Sequence, residues 1–246
     1  MTSDPTIRVR DLRFSYRNDQ RVVLSGLDVD IEEGARCLLI GANGAGKTTL
    51  LRVLGGKHMV PPECARVLGR SAFHDTALAG PVEYLGGNFP FEVDIRVGDL
   101  VSNLVGADPA RRDRLIALLG VDLEWHMHRV SDGQRRRVQL LLGLVRPRRV
   151  LLLDEVTTDL DLLARQDLLD FLREESEERQ VTVVYATHIL DRLETWATHV
   201  CALRGGRVSW MGPLDEMPEL AAARAAGRSS PLYEGVLAWL RAPALI

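Results

Sequence analysis

Short apolar runs recur along the chain, and they are of two kinds. Three of them, Cys37–Ile40, Val150–Leu153 and Val181–Ala186, contain no charged side chain, which is typical of strands buried on both faces of a sheet. Val9–Phe14 and Val22–Ile31 instead alternate apolar and polar positions, as strands with one solvent-facing side do. The pattern therefore predicts buried strands together with a half-exposed antiparallel part.

Helical periods lie between and after these strands. Ser131 and Gln134 have the spacing of a capping box, in which each side chain accepts a hydrogen bond from the other residue's backbone N–H. The acidic run Glu174–Glu178 is expected to be the solvated end of a later helix. The predicted helices are Leu100–Val105, Arg111–Leu119 after the start signal Pro109, Ser131 to about Val145, one from about Leu162, and a last one from Ser230 and Pro231.

The composition is that of an ordinary globular protein and excludes several classes. The 246 residues carry a net charge of −3, which offers no general attraction to nucleic acid or anionic lipid. The three cysteines are far apart, so a disulfide framework is not expected and a cytoplasmic setting is favoured, with the nucleus as a further compartment. No uncharged apolar stretch reaches membrane-spanning length, and residues 1–20 hold no run of signal-peptide type.

Residues 41–49, GANGAGKTT, carry the first chemical signal. They fit the P-loop pattern, in which glycines let consecutive backbone N–H groups turn toward a phosphate chain. Lys47 is expected to reach the β- and γ-phosphates, and the Thr48 hydroxyl to bind Mg²⁺. The helix predicted at Thr49–Leu54 would place its positive N-terminus under the phosphates. The chain is therefore expected to bind a nucleoside triphosphate.

Two further strand ends carry polar residues that suit the same site. Asp154 and Glu155 directly follow the run Val150–Leu153, at the sheet edge where α/β proteins bind ligands. Asp154 is expected to hold Mg²⁺, directly or through water, and Glu155 to polarise the water that attacks the γ-phosphate. The alternatives are an acidic turn without function and, for His188 after the next strand, a purely structural role.

These pieces, in this order, resemble the nucleotide-binding subunit of the ABC ATPase family over nearly the whole chain. The resemblance rests on GANGAGKTT as Walker A, LLLDE at 151–155 as Walker B, VSDGQ at 130–134 as the LSGGQ signature, Thr158–Asp161 as the D-loop, and His188 as the switch histidine. Tyr16, about 25 residues before the P-loop, lies where the family places an aromatic side chain that stacks on adenine. A core or edge-strand tyrosine is the alternative there.

The resemblance implies a fold, a site and a dimer. The fold is α/β, of the ABC-type P-loop NTPase kind: a mainly parallel core sheet with flanking helices, an N-terminal antiparallel β-subdomain and an inserted α-helical subdomain. One domain is expected over residues 1–246, with the helical insertion at about 88–144 and a C-terminal helix at about 231–241. Two subunits are expected to face head to tail, so that the signature of one completes the ATP site of the other.

The resemblance also assigns roles to individual residues. The implied ATP-binding residues are Tyr16, Gly41, Ala42, Asn43, Gly44, Ala45, Gly46, Lys47, Thr48 and Thr49, and those acting on the partner's ATP are Ser131, Asp132, Gly133 and Gln134. Thr48 and Asp154 are expected to hold Mg²⁺, Asp161 belongs to the D-loop, and Glu155 and His188 are expected to be catalytic.

The sequence departs from the family pattern in two places. Aligning Val82–Gly86 with the family's middle strand puts Gly87 where a glutamine normally contacts Mg²⁺ and water and signals to the transmembrane partner; Asn88 is the one nearby substitute. Asp132 stands where the signature has its first glycine, and a carboxylate facing a partner's γ-phosphate weakens binding unless it turns away. In the first turn of a helix, where negative charge is favoured by about 0.3–1 kcal/mol, Asp132 can stabilise the helix instead.

Several segments narrow the resemblance further. VSDGQRRRVQ, LLLDEVTTDLDLLARQDLLDFL, YATHILDRLETWATH and SPLYEGVLAWLR resemble the soluble, membrane-domain-free group, which includes plant subfamily I members and a fungal ATPase linked to a transcription and mRNA-decay complex. The implied function is a soluble ATPase that homodimerises around Mg-ATP and acts on soluble regulatory partner proteins. The alternatives are a transporter subunit with separate permease chains and a slow ATP-sensing module.

Two groups of residues are expected to have no ligand. His126 and His128 flank Met127 just before the signature, but a metal site needs further ligands, so they are interpreted as part of a solvent-facing loop. Arg135–Arg137 are similar to a nucleic-acid patch, yet on a helix they point to different faces, which favours an exposed amphipathic helix.

Overall fold

A computed structural model describes residues 4–16, 21–87, 94–104 and 106–242. Its strands are β1 (Ile7–Ser15), β2 (Val22–Ile31), β3 (Arg36–Ile40), β4 (Ala65–Val67), β5 (Arg70–Ser71), β6 (Val82–Gly86), β7 (Val150–Asp154), β8 (Thr182–Ala186), β9 (His199–Arg204) and β10 (Arg207–Pro213). Its helices are α1 (Lys47–Leu54), α2 (Val97–Ser102), α3 (Pro109–Leu119), α4 (Asp132–Leu144), α5 (Leu162–Arg179), α6 (Pro218–Ala225) and α7 (Pro231–Arg241). Within these ranges no helix is both long enough and apolar enough to cross a bilayer.

Six strands form the central sheet, in the order β10-β9-β3-β8-β7-β6. Its neighbouring strands run parallel, except for the antiparallel pair that β10 makes with β9 at one edge. The charge-free runs of the sequence became β3, β8 and β7 inside this sheet, and every residue of these three strands is buried. The mainly parallel α/β sheet is therefore confirmed. Because β3, β7 and β8 run in one direction, the loops that follow them meet at one sheet edge.

Successive side chains of the central strands enter two different apolar cores. Leu38 and Ile40 of β3 pack in a core that includes residues of α2 to α7, whereas Cys37 and Leu39 pack on the other side with α1 and the second sheet. Strand side chains alternate between faces at a period of two. The runs are apolar at every position because both faces are covered.

The second sheet is antiparallel in its measured pairings and has the order β2-β1-β4-β5. β1 and β2 pair from Ile7 opposite Ile31 to Ser15 opposite Val22, with an irregularity after Val9. At that irregularity Asp11 takes a left-handed φ of 39°, which is the local distortion expected at a bulge. The antiparallel N-terminal part is confirmed, and it brings the end of β1 beside α1.

The helices between residues 94 and 144 follow the sequence pattern with one shift. Arg111–Leu119 lies in α3, which begins at Pro109 after Asp108, whose carboxylate accepts a hydrogen bond from the Arg111 N–H. The helix predicted at Leu100–Val105 is α2, which begins three residues earlier and ends at Ser102, while Val105 lies outside the described residues. The cause is tertiary: the Val97 N–H donates to the carbonyl of Trp125 at 2.8 Å, and that contact sets where the segment turns into helix.

The expected solvated end of α5 is wrong at Glu175. Its carboxylate accepts two hydrogen bonds from the Arg111 guanidinium, at 2.7 and 2.8 Å, and both side chains are 6% exposed. Arg111 also donates to the Leu144 carbonyl at 2.8 Å and lies over the ring of Phe171. A planar guanidinium matches a carboxylate in this paired geometry, so the acidic run of α5 has one buried member that ties α3, α4 and α5 together.

Candidate active site

A cleft of about 690 Å³ lies at the sheet edge where β3 and β7 end. Its walls come from the P-loop residues 43–49, from the strand end at Asp154 and Glu155, from Tyr16, from the start of β2 and from the turn at Gly205 and Gly206. The segment from Asn43 to Thr49 therefore lines the cleft as predicted for a ligand site. Ala42 lines an adjoining cavity of about 300 Å³, and Gly41 is the residue that begins the loop after β3.

The P-loop needs glycine at both ends of its turn. Gly41 has a φ of 155°, and a Cβ there would lie 2.5 Å from the carbonyl oxygen of Leu203. Gly46 has a φ of 105°, and a Cβ there would lie 2.6 Å from a methyl carbon of Leu24. The turn leads directly into α1 at Lys47. Free N–H groups and the positive dipole end of a helix N-terminus favour a phosphate at this place.

Lys47 closes the loop upon itself. Its ammonium group donates to the carbonyl oxygens of Gly41 and Ala42, at 2.7 and 3.3 Å. Burial lowers the pKa of Lys47, and the nearby Glu155 and Asp154 carboxylates partly oppose that change. A lysine held among backbone carbonyls on the cleft wall is a donor that can exchange these partners for the oxygens of a phosphate.

Thr48 and Asp154 meet at the floor of the cleft. The Thr48 hydroxyl donates to Oδ1 of Asp154 at 3.1 Å, and Asp154 is only 6% exposed. A hydroxyl and a carboxylate are the hard oxygen ligands that Mg²⁺ takes in proteins, together with substrate phosphates. The donor set and its place beside the P-loop fit the magnesium ion expected from the sequence.

Glu155 follows β7 in an unusual backbone conformation. Its φ is 52°, in the left-handed region that costs a residue with a side chain about 1–3 kcal/mol. The Glu155 N–H donates to the Ala186 carbonyl at 2.9 Å, which holds the residue against the end of β8. Its Oε2 lies 3.0 Å from Nδ1 of His188 and 3.3 Å from the His188 N–H. The structure thus brings together the carboxylate and the histidine that the sequence separates by 33 residues.

Tyr16 lies on the cleft wall opposite the strand ends. Its hydroxyl shares a hydrogen bond of 3.1 Å with Oγ1 of Thr49, and its ring meets Phe14 and His58 edge-on at 5.1 and 5.4 Å. The ring is therefore held by neighbours at the mouth of the cleft. Stacking on adenine stays a prediction for this side chain.

The four signature residues lie on a different surface. Among the described residues that line the cleft, none belongs to Ser131–Gln134. The predicted capping box is confirmed, because Ser131 Oγ accepts from the Gln134 N–H at 3.3 Å and Gln134 Oε1 accepts from the Ser131 N–H at 2.9 Å. Asp132 occupies the first turn of α4 and is exposed. A Cβ at Gly133 would lie 2.8 Å from the Asp159 carbonyl oxygen, so this glycine allows close contact with the D-loop.

Arg136 and Arg137, which follow the signature, bind neighbouring loops. Arg137 pairs with Asp161, and the Asp161 pKa is lowered, chiefly by a hydrogen bond from the Ala164 N–H. Arg136 lies 3.7 Å from the Asp159 carboxylate and donates to the Gly87 carbonyl at 3.1 Å. The interpretation of Arg135–Arg137 as an exposed amphipathic face is therefore wrong for two of the three, whose side chains are 13% and 21% exposed.

Sequence reasoning missed a tyrosine that supports Asp154. The Tyr84 hydroxyl, on β6, donates to Oδ2 of Asp154 at 3.1 Å and lies 3.4 Å from Nε of Arg52. Burial raises the pKa of Tyr84, so its hydroxyl stays protonated and remains a donor. Gly86 makes room for this contact, because a Cβ there would lie 2.6 Å from Cβ of Asp154. The available signal was a tyrosine in the strand next to the one that ends in Asp154.

Gly87, at the position where the family has a glutamine, offers only backbone atoms. Gly87 has a φ of 70° and its carbonyl accepts from Arg136, while Asn88, the suggested substitute, lies outside the described residues. No side chain at position 87 can contact an ion or a water molecule, since glycine has none. The link that this segment makes instead runs through Arg136 to α4 and the D-loop.

Known proteins resemble this chain over most of its length. The family model for the ABC transporter ATP-binding domain matches residues 24–158. ABC transporter I family member 21 of Arabidopsis thaliana is 48% identical, over 97% of this chain and 86% of that protein. CCR4-associated factor 16 of Saccharomyces cerevisiae is 39% identical, over 85% of this chain and 78% of that protein.

Solved structures agree with the sequence relatives on the fold. The ATP-binding subunit of an ABC transporter superposes with a TM-score of 0.77 at 25% identity, covering 96% of this chain and all of that subunit. The dimeric ATP-binding cassette MJ0796, in a post-hydrolysis state bound to ADP and phosphate, superposes with a TM-score of 0.70 at 19% identity, covering 85% of this chain and 98% of that one. At that identity the second likeness concerns the fold alone.

Proposed function

Because the chain belongs to the ABC transporter family of ATP-binding domains, we propose that it is a free-standing Mg-ATP hydrolase that works as a head-to-tail dimer on a partner protein. ATP hydrolysis is the activity of this family. The observation that carries the proposal is the convergence at one sheet edge of the P-loop, the Thr48–Asp154 contact and the Glu155–His188 contact. Phosphoryl transfer to water needs a phosphate site, a metal site and a group that polarises water, and these three features meet those needs in that order.

The side chains divide the reaction among themselves in this proposal. The loop N–H groups and Lys47 hold the phosphate chain, Lys47 by exchanging its present carbonyl partners for phosphate oxygens. Thr48 and Asp154 hold Mg²⁺, which when bound neutralises charge on the phosphate oxygens. Glu155 polarises the attacking water, and His188, 3.0 Å away, orients Glu155 and binds the terminal phosphate. Tyr16 stacks on the adenine ring.

A dimer is proposed because the site of one copy lacks the signature. Ser131–Gln134 lies apart from the cleft of its own chain, so these residues can contact a phosphate only if a second copy presents them. Two exposed apolar side chains, Leu162 and Leu163, directly follow the D-loop and are 66% and 71% exposed. Apolar exposure beside functional loops suits a surface that a partner covers. A solved cassette of the same fold is a dimer.

We base the proposal that the protein works without a permease on Gly87. A side chain that contacts the ion and also signals outward cannot be supplied by glycine, so the usual relay to a transmembrane partner is missing from this position. The yeast relative is named for its association with CCR4, which favours a partner protein for this chain. The location proposed from the sequence is the cytoplasm, with the nucleus as a further compartment. The second candidate, a transporter subunit with separate permease chains, is favoured by relatives named as import ATP-binding proteins.

A slow ATP sensor is the third candidate. Asp132 and the missing glutamine favour it, because Asp132 adds a carboxylate that opposes a partner's phosphate and Gly87 lacks the side chain that contacts Mg²⁺ and water. The presence of Lys47, Asp154, Glu155 and His188, with Asp154 next to Thr48 and Glu155 next to His188, supports turnover. We therefore rank the sensor last.

The dimer is tested with Glu155→Gln in light scattering coupled to size exclusion. With Mg-ATP this variant should elute as a dimer and without nucleotide as a smaller species, because ATP is bound and not consumed. Glu178→Gln, on the exposed end of α5, is the matched control and should hydrolyse ATP at the normal rate. A Glu155→Gln chain that binds ATP and stays monomeric at every nucleotide concentration contradicts the dimer.

The partner is tested by affinity purification of Glu155→Gln with Mg-ATP from its own detergent-treated cells, read by mass spectrometry. Soluble regulatory proteins in stoichiometric amount, found in the presence of ATP and lost in its absence, support the free-standing ATPase. A multi-span membrane protein recovered in stoichiometric amount establishes the transporter subunit instead. Lys47→Ala, which should not hold ATP, is the control for ATP-dependent recovery.

A further inference from the structure

A cluster of metal-ligating side chains lies outside the ATP cleft, in the segment that leads to the signature. Asp94, His126 and His128 each place one ligating atom within 4.8 Å of the other two. The sequence around His126 and His128 predicts a solvent-facing loop, because it shows no further ligand. The fold supplies a carboxylate from a position 32 residues earlier in the chain.

Backbone contacts place these three residues together. The Met127 N–H donates to the Ile95 carbonyl at 2.9 Å, and Arg96 and His126 form a β-bridge. Met127 itself is fully buried in the core. Residues 126–129 form a turn in which the Arg129 N–H donates to the His126 carbonyl at 2.8 Å. With Met127 buried in this turn, His126 and His128 both lie at the surface, within 3.0 Å of Asp94.

The ligating atoms already converge. Oδ1 of Asp94 lies 2.7 Å from Nδ1 of His126 and 3.0 Å from Nδ1 of His128. Zinc ligands at about 2.0–2.2 Å from a tetrahedral ion lie roughly 3.3–3.6 Å from one another. The two distances from Asp94 therefore need to lengthen by about 0.3–0.9 Å to admit an ion.

We propose that Asp94, His126 and His128 bind a divalent transition-metal ion of the Zn²⁺ class, with water as the fourth ligand. Two imidazoles and one carboxylate suit zinc, cobalt or nickel, whereas Mg²⁺ takes oxygen ligands. The side chains are 65%, 44% and 30% exposed, in the order Asp94, His126, His128, so the ion and its water can enter from solvent. The site is separate from the Thr48–Asp154 pair and does not depend on the proposed ATPase function.

Arg129 opposes the ion and thereby sharpens the test. Its Nε donates to Nε2 of His128 at 2.9 Å, which requires the His128 proton to be on Nδ1. An ion at Nδ1 requires that proton on Nε2, where it faces the Arg129 donor, and the guanidinium also repels the ion. Arg129 must turn away when the ion binds. Removing its guanidinium therefore tightens binding, which a role of His128 confined to loop packing does not explain.

The ion would join two segments next to the signature. His128 is three residues before Ser131, and Asp94 is three residues before α2. A bound ion therefore fixes the entry to α4 against the entry to α2. It stabilises the folded chain by mass action, since the ligands come together only when the chain is folded.

The test is calorimetric titration of the tag-free, full-length protein with Zn²⁺, together with the visible absorption of Co²⁺ as a probe of coordination. We expect one ion per chain, a tetrahedral Co²⁺ spectrum and a Zn²⁺-dependent rise in melting temperature. Asp94→Asn, His126→Ala and His128→Ala should each weaken binding at least about tenfold, as loss even of an outer-shell group does. Arg129→Gln should tighten binding severalfold.

Two variants control for other zinc ligands. His74→Ala removes a histidine bonded to the Val60 carbonyl, and Cys64→Ser removes the partly exposed thiol; both should bind Zn²⁺ as the unaltered protein does. The proposal is overturned if the unaltered protein shows no saturable binding in the micromolar range. It is equally overturned if Asp94→Asn, folded by circular dichroism, binds as tightly as the unaltered chain.

Discussion

Tyr84→Phe removes one hydroxyl from the support of the proposed magnesium ligand and leaves the ring in place. That hydroxyl donates to Oδ2 of Asp154 at 3.1 Å, while Thr48 binds the other oxygen. A hydrogen bond to a charged group contributes about 1.5–3 kcal/mol, and loss of a ligand's outer-shell partner weakens metal binding about 10- to 100-fold. Because Thr48 still holds Asp154, we expect the lower end: about tenfold weaker binding, or about 1.4 kcal/mol.

The assay is titration of Mn²⁺, as a paramagnetic substitute for Mg²⁺, in the presence of a non-hydrolysable ATP analogue, followed by electron paramagnetic resonance. The Mg²⁺ dependence of the ATPase rate is the second readout, with the apparent Mg²⁺ constant rising and the rate at saturating Mg²⁺ changing less. Tyr185→Phe is the matched control, because its hydroxyl shares a 2.6 Å bond with Thr157, in the turn that follows β7, and does not contact Asp154. Equal metal affinity in the unaltered protein and Tyr84→Phe, or an equal loss in both tyrosine variants, refutes the reasoning.

Three further outcomes are expected. Glu155→Gln should bind ATP yet lose hydrolysis by about 10²–10³-fold in a phosphate-release assay; near-normal turnover removes Glu155 from the role of base. Asp132→Gly should raise the ATPase rate if the carboxylate faces the partner's phosphate, and an unchanged rate with intact dimerisation contradicts that orientation. Arg111→Ala should lower the free energy of unfolding in urea by about 3 kcal/mol, the low end of the range for breaking a buried pair, because the buried Glu175 charge then keeps only the half-exposed Arg179, 3.2 Å away, as its partner. Arg111→Met combined with Glu175→Leu should recover part of that loss, and a loss under about 1 kcal/mol in the single variant speaks against the buried pair.

The local signals of the sequence were reliable where neighbours along the chain decide the structure. The capping box of Ser131 and Gln134 formed as predicted, because both partners lie within one helical turn. The buried strands appeared where charge-free runs end in polar residues. The P-loop, Asp154 and Glu155 came together because parallel strands deliver their ends to one sheet edge.

The errors concern contacts between residues far apart in the sequence. The start of α2 is set by the hydrogen bond from the Val97 N–H to the Trp125 carbonyl. The hydrophobic period around Leu100 does not indicate that Trp125 is a partner. Arg136 and Arg137 are restrained by the D-loop carboxylates, although helical spacing alone suggests free faces. Charged side chains are read as solvated by default, since burial of an unpaired charge is costly, and only the fold reveals a partner.

The sequence by itself determined the family and the parallel sheet and led to the residues proposed to bind ATP and Mg²⁺, because period, turn chemistry and the P-loop are properties of short segments. Tertiary structure alone decided that Tyr84 supports Asp154, that Arg111 neutralises Glu175 and that Asp94 meets two histidines. The partners in these contacts are 70, 64 and 32 residues apart in the sequence for Tyr84–Asp154, Arg111–Glu175 and Asp94–His126. The physical reason is that such contacts depend on strand order and helix packing, which bring distant residues within about 3 Å, the range in which hydrogen bonds and metal ligation act.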